Sequence, residues 1–181
     1  MKFSGRLITI LLALFFTGLL AGCAKDYRLA PSYHSSAGAT TTVILTRHGD
    51  RDTASDVLNV KGRVRAQALV GEIGDMNITA IYCPDLVRNI DTAKPLAKHL
   101  GLKKIETFSD MSKVHEVLET IRSRHSGEVI LWVGNTSNLP QFNSRLGGEG
   151  EPPTKYGDLF IIKLKGEGFP EVIKKRYGPV N

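Results

Sequence analysis

An α/β fold of three layers, with helices on both faces of a mostly parallel sheet, is what this 181-residue sequence predicts. Two observations carry the prediction. Short apolar runs recur with the length of buried strands, and apolar residues recur at helical spacing between them. Alternation of the two is the pattern of strand–helix–strand units, whose crossovers cover both faces of a sheet.

The strands expected are Thr42–Thr46, Thr79–Cys83, Lys104–Phe108, Glu128–Val133 and Asp158–Leu164, with Glu171–Arg176 as a weaker edge strand. Ala66, Leu69, Val70 and Ile73 form the stripe of a first helix, after the polar start at Leu58–Lys61. Leu86, Ile90, Ala93, Ala97 and Leu100 form a second, which Pro95 should kink because it lacks the amide hydrogen. A third carries Val114, Val117, Leu118 and Ile121, with Ser112 as its expected cap. A short helix is expected after Pro140, and residues 147–153 are a glycine- and proline-rich loop.

The N-terminus reads as an address. Lys2 and Arg6 precede an apolar run from Leu7 to Leu20, which is short for a membrane span and has the layout of a secretory signal. It ends in Leu20-Ala21-Gly22-Cys23, which resembles a bacterial lipobox and predicts cleavage before Cys23 and lipidation of its thiol. The expected organisation is a signal peptide over 1–22, a lipidated cysteine and flexible tether over 23–40, and one domain over 41–181. That arrangement predicts a lipid-anchored, periplasm-facing protein of the bacterial envelope. Ala24, where an aspartate would retain the protein at the inner membrane, favours the outer one.

Without Lys2 and Arg6 the formal charge falls from +6 to +4, and no basic run or basic–aromatic interleaving points to nucleic acid. With Cys23 lipidated, Cys83 has no partner, so neither a disulfide framework nor a cysteine-based metal site is available. No cofactor and no metal are expected.

Ligands of such sheets lie beyond the carboxyl ends of the strands. Three segments fall there: Arg47-His48-Gly49-Asp50-Arg51, Cys83 to Arg88 followed by Asp91-Thr92-Ala93, and Trp132 to Pro140. An imidazole can attack phosphorus, a guanidinium can hold phosphate oxygens in a planar fork, and glycine lets the backbone approach closely.

On these residues the chain resembles the histidine phosphatase superfamily, the phosphoglycerate-mutase-like proteins. Arg47-His48-Gly49 is similar to the family's first motif, and Leu58-Asn59 with Gly62, Arg65 and Ala66 to its second. Leu86, Arg88, Thr92 and Ala93 are similar to the third, with Cys83 near the usual serine, and Tyr156-Gly157-Asp158 looks like the ending of small members. The resemblance implies that His48 is a nucleophile forming a phosphohistidine. It also implies that Arg47 and Arg88 clamp the phosphoryl oxygens, with Arg51 either a further contact or a surface residue.

One position departs from the pattern. Val133-Gly134-Asn135-Thr136-Ser137-Asn138 keeps the context of the family's second histidine, but Asn135 stands in its place. Asparagine can donate to a phosphate oxygen but carries no charge and shuttles no proton. No residue stands out as the general acid: Asp50, Asp110 and Glu116 each read first as surface carboxylates, with Asp50 preferred among them. Arg124-His125-Ser126-Gly127 repeats the opening motif superficially but precedes a strand, so it reads as a turn. The expected activity is that of a phosphomonoesterase on a phosphorylated small molecule or envelope glycolipid. A phosphate-binding lipoprotein without turnover is the alternative, and a purely structural envelope lipoprotein is disfavoured.

Overall fold

Thr41–Arg47 forms β1 because its Val43, Ile44 and Leu45 can be buried from both sides, and all three are fully enclosed. The computed structural model describes residues 33–109 and 113–180. The signal segment, Cys23 and Ser112 therefore lie outside the described residues. After β1 come α1 (Val60–Ile73), β2 (Ile78–Pro84), α2 (Val87–His99), β3 (Glu106–Phe108), α3 (Val114–Arg124), β4 (Val129–Gly134), α4 (Leu139–Arg145), β5 (Asp158–Leu164) and β6 (Glu171–Arg176).

The sheet runs β3-β2-β4-β1-β5-β6. β1, β2, β3 and β4 pair in parallel, while β5 is antiparallel to both β1 and β6. Only β5 is therefore reversed, and the expected α/β architecture is the one observed. One core unites Leu69 and Ile73 of α1 and Ala93 and Leu96 of α2 with Ile44, Ile81, Leu131 and Ile161 on one sheet face. The second joins Val117 and Ile121 of α3 and Phe142 of α4 to Val43, Ile130, Trp132 and Ile162 on the other. Trp132 stacks on Phe142 with ring centroids 4.3 Å apart.

α2 runs through Pro95 to His99, its apolar stripe packed on α1 and the sheet outweighing the one lost amide bond. Two local expectations are revised. β3 begins at Glu106 rather than Lys104, and it pairs with β2 only over Tyr82–Pro84. Residues 33–40, expected to belong to a loose tether, are attached to the domain. Tyr33 is buried in the α3 core, Ser35 N–H donates to the Lys165 carbonyl at 3.0 Å, and the Ser35 and Thr41 hydroxyls are 2.7 Å apart.

The segment that links β1 to α1 is fixed by the second motif. Asn59 caps α1, its Oδ1 accepting from Gly62 N–H at 2.9 Å, and its own N–H donates to the Asp50 carbonyl at 3.0 Å. A cap of this kind contributes about 1 kcal/mol. Gly62 allows the contact: a Cβ there would lie 2.0 Å from the Asp50 carbonyl oxygen. The backbone just after His48 is thereby pressed against the start of α1.

Candidate active site

His48 follows β1 directly, and Asn135 follows β4. The register pairs Arg47 with Gly134, so the two strand ends deliver both residues side by side at the same edge of the sheet. His48 N–H donates to the Gly134 carbonyl at 3.0 Å, and Asn89 at the start of α2 donates its Nδ2–H to the Val133 and Gly134 carbonyls at 2.9 and 3.2 Å. Gly49 N–H donates to Thr92 Oγ1 at 2.8 Å, and the Thr92 hydroxyl donates to the Arg88 carbonyl at 2.7 Å. Thr92 thus fastens the histidine loop to the turn of α2 that carries Arg88. The third motif's Arg-x-x-x-Thr spacing is this i,i+4 bond, a role the sequence reading left unassigned.

His48 is 2 % exposed, and its Nδ1 lies 2.7 Å from the Gly49 carbonyl. A carbonyl only accepts, so Nδ1 holds the proton and the neutral ring keeps the Nε2 lone pair. Burial above all, with the charges of Arg47, Arg88 and Arg51 and against the raising effect of the Gly49 bond, lowers the pKa of His48 to about 4. The ring is therefore unprotonated at neutral pH. In a two-dimensional NMR titration, the His48 ring should titrate with a midpoint near 4, and no transition near 6.5 should be seen for it. A midpoint near the ordinary value would remove the case for a pre-formed nucleophile. The sign for stability follows: the unfolded chain binds the proton between pH 6.5 and about 4 and the folded one does not, so His48 costs stability as pH falls through that window.

Three arginines surround this imidazole closely enough to act on it electrostatically. The Arg47 guanidinium lies 3.9 Å from the Tyr156 ring centre and donates Nη1–H to the Thr154 carbonyl at 3.0 Å. Tyr156 also meets His48 edge-on, with centroids 5.8 Å apart. Arg51 donates through Nη1 to the carbonyls of Asp52, Thr53 and Ser55 at 3.2, 2.7 and 2.8 Å, which folds its own loop. Arg88 pairs with the Asp56 carboxylate, which also accepts from Val87 N–H at 3.2 Å. The Nε–H groups of Arg47, Arg51 and Arg88 are all buried with no hydrogen-bond acceptor among the described residues. Burial pushes the Arg47 guanidinium below its ordinary range.

Asn135 is 6 % exposed. Its N–H donates to Asn138 Oδ1 at 3.0 Å, and its carbonyl accepts from the N–H groups of Asn138 and Leu139 at the head of α4. Gly134 leaves room for this turn, since a Cβ there would sit 2.6 Å from Trp132 Nε1 and 2.7 Å from Asn138 Oδ1.

Asp50, preferred as the general acid from sequence, is engaged elsewhere. Its Oδ2 accepts from Arg65 Nε at 2.6 Å, and Oδ1 faces Arg65 Nη2 at 3.3 Å. Arg65 is fully buried and also donates Nη1–H to the Tyr177 carbonyl at 2.7 Å. Gly157, at φ 83°, makes the space: a Cβ would lie 2.4 Å from that Nη1. The pair joins the histidine loop, α1 and the C-terminal strand region. Arg65→Met would leave the Asp50 carboxylate buried without its counter-charge, an expected loss of about 3–5 kcal/mol in urea denaturation. An unchanged midpoint would show that the pair does not hold the loop.

Arg65, Tyr156 and Thr92 all lie in stretches quoted for the resemblance, yet their work is visible only in three dimensions. Asp56 is the other residue missed, and no spacing in the sequence marked it. Asp110 lies outside the described residues, and no ion pair joins Glu116 to the cluster; its carboxylate is bound by Lys113. Cys83, near the position of the usual serine, is buried with its thiol pushed up to about 12 by burial, and is inert at neutral pH.

A strand-end histidine with its tautomer fixed thus stands among three arginines at the carboxyl ends of a three-layer α/β sheet. Residues 43–115 match the family described as histidine phosphatase superfamily (branch 1). The match includes Arg47, His48, Arg51, Arg65 and Arg88 and ends before Asn135. Among solved structures, the chain is similar to the protein histidine phosphatase SixA complexed with tungstate. The TM-score there is 0.58 at 18 % identity, over 75 % of this chain and 96 % of that one. It is similar to YhfR of Bacillus stearothermophilus at TM-score 0.57 and 21 % identity, over 73 % and 95 % of the two chains. A phosphoglycerate mutase of Plasmodium falciparum gives 0.52 at 17 % identity, over 77 % and 91 %. At these identities the likeness establishes a common fold.

Proposed function

We propose that this protein is a phosphomonoesterase that works through a phosphohistidine on His48 and is held on a membrane by lipidated Cys23, facing the periplasm. The observation that carries the chemistry is the fixed Nδ1 proton of His48, which leaves Nε2 as a neutral nucleophile at physiological pH. Nε2 attacks phosphorus, the bond to the leaving oxygen breaks, and that oxygen departs with the electron pair. Water then attacks the phosphohistidine, releasing inorganic phosphate and restoring the ring. Arg47, Arg51 and Arg88 neutralise the equatorial oxygens, and their acceptorless Nε–H groups supply donors suited to a tetrahedral oxyanion. Tungstate, present with the SixA structure, is such an ion and is a suitable competitive probe here.

Proton supply decides the substrate class. Asp50 is committed to Arg65, and Asn135 transfers no proton, so substrates whose leaving group departs with little acid assistance suit the site best. Activated phosphoesters and phosphoramidates are of that kind. The natural substrate is a phosphorylated small molecule or glycolipid of the envelope. Asn135 also favours a second reading, in which the pocket binds a phosphate ligand without turning it over.

The test is a chemical trap. The full chain, mixed with a radiolabelled activated phosphoester or phosphoramidate and quenched in alkali, should retain label that acid releases, the lability of a phosphoramidate linkage. Label absent from the protein while tungstate still binds would leave only the second reading.

A further inference from the structure

The arginine–histidine pair that recurs at Arg124-His125 lies at the opposite edge of the sheet from His48, where α3 ends ahead of β4. β3 pairs with β2 only over Tyr82–Pro84, so the first half of β2 has no strand on that flank among the described residues. A cavity of about 270 Å³ opens there, between β2, the loop ahead of β3 and the end of α3. Lys103, Lys104, Arg124 and His125 line it, with Tyr82 and Glu106.

The charges in this cavity are not balanced. Glu106 pairs with Lys104 at 2.6 Å, and Glu128 meets His125 Nδ1 at 2.7 Å while accepting from the Thr79 hydroxyl at 2.6 Å. Lys103 and Arg124 have no acidic partner among the described residues, whereas Arg122 on the same turn of α3 is held by Glu119 at 2.7 Å. His125 is not a second nucleophile. Its Nε2 lies 2.6 Å from the hydroxyl of buried Tyr82, its Nδ1 faces Glu128, and the two rings meet edge-on at 73°. Both ring nitrogens are engaged, so the pair forms a rigid wall beside two uncompensated cations.

We propose that this cavity is a second, non-catalytic site for a phosphate-class anion, held by Lys103 and the planar fork of Arg124. A compact oxyanion satisfies an ammonium and a guanidinium together, and the volume admits a phosphate with a small attached group. The same chemistry is offered by a free phosphorylated metabolite and by the phosphate of a lipid headgroup.

Two arms separate these sources. The full chain carrying Arg47→Ala and Arg88→Ala, which remove the two clamping guanidiniums of the first site, is titrated with inorganic phosphate and followed by backbone-amide NMR. Shifts are expected at residues 102–106 and 124–126, and adding Lys103→Ala with Arg124→Ala should weaken the affinity about tenfold or more. Both side chains are exposed, so these changes leave the fold intact. In the second arm the same proteins are sedimented with phosphatidylcholine vesicles with and without phosphatidylglycerol. Extra binding to the anionic vesicles that depends on Lys103 and Arg124 assigns the site to a headgroup, and phosphate shifts without it assign a free ligand. If neither phosphate nor anionic vesicles distinguish the Lys103/Arg124 variant from its parent, the proposal is overturned.

Discussion

His48→Ala is expected to lower turnover of an activated phosphoester by roughly 10⁴-fold or more, the scale on which removal of a covalent nucleophile acts. The alanine has no lone pair to attack phosphorus, and the remaining arginines can only bind and polarise the ester. Oxyanion binding should persist, because Arg47 is held by Thr154 and Tyr156 and Arg88 by Asp56, all without help from the imidazole. The signature is therefore a fall in kcat with tungstate inhibition retained and the acid-labile label lost. Turnover unchanged in His48→Ala would assign any activity of the preparation to another group and sink the phosphohistidine route.

Most of the fold was legible because its determinants are local and periodic. Apolar runs of strand length mark β1, β2, β4 and β5 to within a residue or two, and each helix carries its stripe. β3 was overestimated because Ile105 packs as part of a core without pairing in the sheet, and apolar character alone does not separate the two. Tyr33 was read into a tether because its neighbours are polar; its burial depends on α3, eighty residues away in sequence, which no local pattern reports.

The site divides in the same way. Motif spacing sets His48, Arg47 and Arg88 at the ends of adjacent elements, and the structure brings the three together. Adjacency of Asp50 to His48 in sequence says nothing about which way its carboxylate turns. Arg65, fifteen positions later, claims both of its oxygens. The paired Asp50 is a strut: it fixes the backbone beyond His48, together with Asn59 and the close approach at Gly62.

Asn135→His is expected to raise kcat by about 10²–10³, the range attached to a single transition-state donor. The position is already built for such a group. The Arg47–Gly134 register sets it beside His48, and the Asn138 carboxamide fixes its backbone, so the substitution changes chemistry without moving the chain. Position 135 is buried, and burial opposes protonation of the introduced imidazole before substrate binds. A bound phosphoryl dianion reverses the balance and favours its charged form, so the gain should appear in kcat more than in KM. The pH–rate profile should then acquire a basic limb, as the introduced group loses its proton, that the wild type lacks. A protein that already turns over well and gains nothing from the change would show that asparagine suffices at this position. A protein silent in both forms, while still binding tungstate, would show that the phosphate pocket no longer serves catalysis.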